Sequence, residues 1–245
     1  MRYLKHYIFL LFALCYIPSY AQQKPVYVFE MKEEIGPGAW RLTQKAFIKA
    51  REANAGTILI RMNTYGGMVD YADSIRTKLL QSPIKTIVFI DNNAASAGAL
   101  IAIACDRIYM AKGAGIGAAS VVNPKGEIMP EKYQSFMRGL MRSTAEAKGR
   151  DPKIAEAFVD PDVSIPDVSP KGKVLTLTSA EAIKVGYCAA ELNSVEAVLK
   201  AEGLNESAVI QHHVSVMDKV LAFLISPAIS GILILLIIGG IYFEM

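Results

Sequence analysis

Ser96 sits in a knot of small residues, Ala94-Ala95-Ser96-Ala97-Gly98, at the end of an apolar segment, and Gly66-Gly67 end the apolar segment before it. A serine hydroxyl at such a turn is a nucleophile when a base takes its proton and backbone amides receive the charge that develops on the attacked carbonyl. Gly67, having no side chain, can turn its N–H inward, and the N–H of Ala97 follows the serine in the same direction. Small residues also serve a plain turn into a packed helix, and a double glycine alone serves an ordinary strand-to-helix turn. The chemistry therefore depends on what accompanies them.

No histidine is well placed to activate the serine. The chain has three histidines; His6 lies in an apolar leader, and the adjacent pair His212-His213 reads as a solvated linker just before an apolar C-terminal stretch. A lysine or a carboxylate is left as the base. A lysine serves only when neutral, which burial in an apolar pocket favours by penalising the ammonium form. Lys132 opens a predicted helix among Met129, Pro130, Tyr133 and Phe136, and the positive end of the helix dipole further disfavours the ammonium. Lys112, Lys125 and Lys148 are alternatives in contexts that read as more exposed.

The elements that must position these residues follow from hydrophobic periodicity. Alternation over Pro25 to Lys32, "TILIRM", "KTIVFI" and "RIYMA" read as strands; residues 39–54, "MVDYADSIRTKLLQS" and "SAGALIAIAC" read as helices between them. Strands alternating with helices of this length predict right-handed βαβ units on a mostly parallel sheet, with both turns at the carboxyl ends of strands, where such sheets bind ligands. The second half is less regular. Helices are predicted over 130–148 and 152–158, "VSIPDVSPKGKVLTL" reads as a hairpin around Gly172, and Thr178 and Glu181 are spaced as a capping box.

The composition is 52% hydrophobic, more than one soluble domain needs, and the excess lies at the two ends. Residues 1–21 carry Arg2 and Lys5, a short apolar run and a small-residue cleavage site, the pattern of a secretory signal peptide. Residues 220–243 are uncharged, and roughly 20 apolar residues suffice to cross about 30 Å of hydrocarbon. The expected organisation is a signal peptide over 1–21, one globular α/β domain over 23–205, a juxtamembrane linker over 206–219 and a transmembrane helix over 220–243. Only Glu244 and Met245 follow that stretch, so a longer parent chain is expected. An exported N-terminus followed by a stop-transfer segment places the body outside the cytoplasmic membrane. The net charge of +3 is scattered, with no basic stripe interleaved with aromatics, which argues against nucleic acid. Cys105 and Cys188 lie in apolar contexts and read as buried thiols rather than a disulfide.

"NTYGG", "AASAG", "GIGAA" after the next strand and a lysine opening a later helix in "PEKYQSF" together resemble the NfeD-type membrane serine peptidases. These belong to the ClpP/crotonase superfamily and are related to signal peptide peptidase A. "AEAKGRDPKIAEAFV" and "LTSAEAIKVGYC" are similar to the family's downstream stretches. Tyr65 departs from the proline many relatives carry, and the segment between "GIGAA" and Lys132 is short. The resemblance implies a ClpP/crotonase-like repeated ββα sheet domain. Its site would have Ser96 as nucleophile, Lys132 as general base, Gly67 and Ala97 as oxyanion donors, and Gly66 and Met68 against the substrate. It implies no metal and no cofactor, cleavage of peptide bonds in hydrophobic or membrane-proximal segments, stomatin- or flotillin-type membrane partners, and self-association into a dimer or larger assembly.

Two other function classes are to be weighed. A catalytically silent scaffold would keep the fold and recruit membrane proteins. Acyl-CoA chemistry uses paired amides on the same fold, but an exported domain does not meet a cytoplasmic cofactor.

Overall fold

The computed structural model describes residues 23–213, 220, 224 and 227–244. The expected signal peptide lies outside the described residues, as do 214–219 of the expected linker and parts of 220–243.

Three consecutive strand–helix units open the domain: β1 (Val26–Met31), α1 (Pro37–Glu52), β2 (Thr57–Thr64), α2 (Val69–Leu80), β3 (Lys85–Ala95), α3 (Ala97–Ile103) and β4 (Arg107–Met110). Apolar residues at successive strand positions close both faces of the sheet. Tyr27, Phe29 and Met31 face one buried cluster with Ile58, Ile60, Val88 and Ile90. Val26 and Val28 face another with Leu59, Ile87, Phe89, Val198 and Leu199. Burial on both faces is what a parallel sheet flanked by helices requires. The remaining elements are β5 (Gly115–Gly117), α4 (Glu131–Ala147), α5 (Pro152–Ala157), β6 (Thr176–Thr178), α6 (Ser179–Lys184), β7 (Ala190–Glu191), α7 (Val195–Ala201), β8 (Val209–Gln211) and α8 (Pro227–Glu244).

Among the described residues the sheet has eight strands, in the order β6-β5-β3-β2-β1-β8, with β4 pairing β3 and β7 off that path. Its pairs are parallel except β5 with β6. β3 is the pivot: Ile87 to Ile90 pair with β4, whereas Asn93 to Ala95 pair with β5. β3 runs past Ile90, where its apolar pattern ends, because Thr64 re-engages it at Ala94 after a register shift opposite Asp91, Asn92 and Asn93. That extension delivers Ser96 to the end of the sheet.

Three local expectations differ from the structure. "VSIPDVSPKGKVLTL" forms no hairpin around Gly172: its one antiparallel bridge is the tight turn from Ile165 to Ser169, and Thr176–Thr178 pairs antiparallel with β5 instead. The sheet continues beyond residue 205, since β8 pairs with β1 and His212 N–H donates to Val28 C=O (2.7 Å); a strand of three residues is too short to give a periodic signal. His212 is accordingly not a solvated linker residue, because its Nδ1 lies 2.8 Å from the Tyr27 hydroxyl. The capping box is formed, with the Thr178 hydroxyl accepting from Glu181 N–H and the Glu181 carboxylate accepting from Thr178 N–H. Among the described residues no helix is long and apolar enough to cross a membrane. α8 holds 18 residues, and its large apolar side chains from Ile232 to Ile238 are exposed.

Candidate active site

The site is built at the end of the sheet from two turns in contact. Ser96 caps α3 with φ 55° and ψ −121°, backbone space that a residue with a Cβ rarely occupies and that costs of order 1–3 kcal/mol unless the surroundings enforce it. Ser96 N–H donates to Gly117 C=O (2.9 Å), and Ser96 C=O accepts from Ala99 N–H (2.9 Å). Behind the serine, all seven residues of α3 are buried, so the helix cannot shift to relax the elbow. At its other end Arg150 donates to Ile103 C=O (2.9 Å), capping the carbonyls that α3 leaves open. A strained strand-to-helix elbow that exposes a hydroxyl is a recurrent way to present a nucleophile.

The second turn touches the first. Gly66 has φ 106°, and a Cβ there would stand 2.5 Å from Ser96 Cβ and 3.0 Å from its Oγ. Gly67 has φ 152°, and a Cβ there would stand 2.2 Å from Ile35 C=O. Both glycines are therefore required by space as well as by torsion. The turn is clamped by Ile35, whose N–H donates to Gly66 C=O (2.8 Å) and whose C=O accepts from Met68 N–H (2.7 Å). Thr64 completes the clamp: its hydroxyl accepts from Gly66 N–H (3.1 Å) and donates to Glu33 C=O (2.9 Å). Among the described residues, no protein acceptor takes the N–H of Gly67 or of Ala97. Two uncommitted amides thus belong to two turns that meet at Ser96.

Ile35 and Thr64 were not singled out by residue type. Residues 33–35 read only as the break between a strand and the Gly36-Pro37-Gly38 turn. Ile35 is nevertheless fully buried, and an isolated parallel bridge pairs it with Gly67. A single isoleucine before a glycine-rich break carries no periodic signal that could have found it.

Lys132 differs from the buried lysine expected. It is exposed, as are Tyr133 and Phe136 beside it. The reason is helical phase: the buried face of α4 carries Gln134, Met137, Met141, Thr144 and Ala145, and position 132 falls off that face. The apolar neighbours that promised a pocket form an open groove of about 590 Å³, lined by Lys132, Tyr133 and Phe136 from α4 and by Val69 and Asp70 from the start of α2. Lys132 Nζ lies 5.0 Å from the centre of the Tyr133 ring, a cation–π contact within its own helix. No hydrogen bond joins Lys132 to Ser96. The structure thus brings Ser96, Ala97, Gly66 and Gly67 together, with Met68 exposed at their edge, and leaves Lys132 in the adjoining groove.

The alternatives divide differently from expectation. Lys112 and Lys125 are exposed. Lys148 is the most enclosed, with 13% of its side chain accessible, but it is paired with Asp106 at 2.5 Å, beyond the end of α3 opposite Ser96. Burial would raise the Asp106 pKa, yet the bonds from Lys148 and Thr86 outweigh it and hold the carboxyl below its ordinary value. That ion pair engages Lys148 at the far end of α3 from Ser96. Among the described residues no cluster of histidine, cysteine, aspartate or glutamate is arranged to hold a metal.

Residues 25–212 match the family described as NfeD1b, N-terminal domain. The chain is 32% identical over 226 residues to membrane protein NfeD1b of Bacillus subtilis (strain 168), covering 92% of this chain and 52% of that protein. It is 30% identical over 183 residues to membrane-bound protease PH1510 of Pyrococcus horikoshii, covering 71% of this chain and 39% of that protein. The chain spans about half the length, or less, of these curated relatives. Among solved structures, a lysine-to-alanine variant of the 1510-N membrane-bound stomatin-specific protease, in complex with a substrate peptide, superposes with a TM-score of 0.71 at 26% identity, over 83% of this chain and 98% of that one. ClpP1 from Listeria monocytogenes superposes with a TM-score of 0.51 at 19% identity, over 74% and 94% of the two chains, a likeness of fold alone.

Proposed function

The chain belongs to the NfeD1b N-terminal-domain family, and from that premise we propose that it is a membrane-anchored serine endopeptidase acting through Ser96 and Lys132. The observation that carries this reading is the elbow itself: a serine at φ 55°, in contact with a glycine turn, between two backbone amides that donate to no protein acceptor among the described residues. Strain held in place by fully buried surroundings has little structural purpose, and at a nucleophile it has one.

In the proposed reaction Lys132 takes the proton of Ser96, and Oγ attacks the peptide carbonyl. The N–H groups of Gly67 and Ala97 receive the oxyanion. The C–N bond breaks as the lysine returns its proton to the leaving amine, and water then hydrolyses the acyl-enzyme. Because Lys132 is exposed in this chain, we infer that the dyad closes only when an extended substrate fills the groove. Removing water from the ammonium then favours the neutral amine that catalysis needs. Gly66 and Met68 would border the bound chain.

The wider expectations belong to the same proposal: export through residues 1–21, anchorage by the apolar stretch over 220–243, a peptidase domain outside the cytoplasmic membrane, self-association, and no metal or cofactor. The 1510-N protease is described as stomatin-specific. This supports a stomatin-type substrate or partner here, with flotillin-type proteins as the related class.

The exposure of Lys132 also favours a second reading, a scaffold that keeps the elbow without chemistry. A serine-reactive fluorophosphonate separates the two. Labelling of Ser96, with cleavage of an apolar peptide lost in Ser96→Ala and Lys132→Ala, supports the peptidase. Absence of labelling and cleavage in the intact membrane-reconstituted protein, with membrane partners still captured, supports the scaffold.

A further inference from the structure

The segment between β5 and α4 is a preformed hairpin. Val122 bridges Ile128 in antiparallel fashion. Met129 N–H donates to Val121 C=O (2.9 Å), and Asn123 Oδ1 accepts from the N–H groups of Lys125 and Glu127 (2.9 and 3.0 Å). Yet not one of residues 121–130 is buried. Val122 and Ile128 are exposed at 51% and 75%, so the hairpin contributes little to the core.

Its base is nonetheless held by one of the few buried polar side chains. Gln134, 7% exposed, accepts from Val121 N–H (3.0 Å) and donates to Val121 C=O (2.7 Å) and Met129 C=O (3.1 Å). The carboxamide thus pairs with Val121 as a neighbouring strand would, and its second N–H reaches the other leg. All its donors are used, and its partners, one N–H and two C=O groups, fix which way the amide faces. A nearly buried amide spent on a segment of which only Val121 packs against the core is hard to account for by stability. The residues so ordered include Val121, Val122, Asn123, Pro124 and Met129, which line the groove beside Lys132.

We propose that Gln134 is a positioning residue for the substrate groove: its carboxamide stands in for a third strand and locks the 121–129 hairpin as a wall of that groove. This rests on the peptidase reading for the substrate, and on nothing but the hydrogen bonds for the locking. The nucleophile elbow is held by Gly117, Thr64 and Ile35, whereas the hydrogen bonds of Gln134 go to Val121 and Met129. Loss of the lock should therefore weaken the hold on an extended chain and leave the serine as it was.

The test compares Gln134→Glu and Gln134→Ala with the unaltered full-length protein. Glutamate has nearly the same shape and keeps an acceptor for Val121 N–H, but its ionised carboxylate faces two carbonyls without a donor. Amide hydrogen exchange should quicken at Val121, Glu127 and Met129 in both variants while the amides of β1 to β3 are unchanged. The KM for an extended apolar peptide should rise by about tenfold or more in both, since ordering the hairpin then falls on the binding step. Fluorophosphonate labelling of Ser96 should stay within about twofold. Unchanged exchange at the hairpin, or an unchanged KM with quickened exchange, overturns the proposal. So does a loss of labelling and of melting temperature in step with the loss of turnover, which marks a merely structural residue. If the unaltered protein cleaves no peptide, the peptidase reading fails on its own. Peptide binding by Ser96→Ala with and without Gln134→Glu then decides the matter, equal affinities overturning the proposal.

Discussion

Gly66 and Ser96 touch: a methyl group on the glycine would lie 2.5 Å from the serine Cβ. The contact joins the turn after β2 to the turn after β3, so two uncommitted amides from separate strand–helix units lie at one serine, the proposed nucleophile. The site is a property of the sheet's end rather than of either loop.

Gly66→Ala should therefore damage the site more than a surface glycine substitution would. The added methyl meets Ser96 Cβ, an atom fixed by the elbow's backbone, and stands 3.0 Å from the Ala95 C=O, and the torsion of φ 106° disfavours alanine by about 1–3 kcal/mol. Gly67→Ala meets backbone, the Ile35 carbonyl at 2.2 Å, which cannot yield without breaking the Ile35 clamp. We expect urea midpoints to fall in both variants and further in Gly67→Ala, with fluorophosphonate labelling of Ser96 lost in each.

Ser96→Gly should stabilise the fold while abolishing activity. Removing the Cβ relieves about 1–3 kcal/mol of backbone strain at φ 55°, against about 0.4–1 kcal/mol lost to the greater freedom of glycine in the unfolded chain. A net gain near 1 kcal/mol, read as a raised urea midpoint, would mark a residue retained against stability. A midpoint that falls would mean the elbow is not strained.

Much of this was legible in sequence because β1 to β3 and the two helices between them are long and strongly patterned. Once the parallel order was inferred, "NTYGG" and "AASAG" had to fall at the same end of the sheet. What sequence could not supply was the phase of α4. Met129, Tyr133 and Phe136 around Lys132 promised burial, but the stripe through Gln134, Met137 and Met141 takes the core and turns Lys132 outward. The Ile35 clamp and the β5–β6 pairing were hidden for a different reason. Each is a long-range contact of a few residues, in which neither partner carries a local pattern.

Lys132 and Lys148 should separate function from stability. Lys132 is exposed and makes no ion pair within the described residues, so Lys132→Ala should change stability by no more than about 0.5 kcal/mol while peptide cleavage is lost. Lys148→Ala removes the partner of Asp106, leaving that half-buried carboxylate with the Thr86 N–H and hydroxyl alone. The cost should be about 1–3 kcal/mol, with Ser96 labelling retained. Urea unfolding and labelling on the same samples check both. Labelling and cleavage that survive Lys132→Ala but fail in Lys148→Ala would move the base to Lys148.

The acid and alkaline limbs of stability should both run through Glu202. Its side chain, 6% accessible, accepts from Lys85 Nζ (2.5 Å) and from the Tyr109 hydroxyl (2.6 Å), tying α7 over β3 and β4. Burial pushes the Glu202 pKa up, but the bonds from Lys85 and Tyr109 outweigh it, and the net value lies below the ordinary 4.5. A depressed folded-state value means the contribution is complete above about pH 4.5 and is lost as pH falls through the folded value. Tyr109 runs the other way: burial first, then the neighbouring carboxylate, push its hydroxyl from 10.0 to about 12. Its contribution is complete below pH 10 and is lost as pH rises toward 12. Glu202→Gln should therefore lower the urea midpoint at pH 7, flatten the acid limb and lessen the alkaline one, because the amide takes up no proton in acid and does not oppose the tyrosinate in base, while the burial of Tyr109 remains. A variant whose midpoint falls in parallel with the unaltered protein from pH 7 to pH 3 would show that other carboxylates govern acid unfolding.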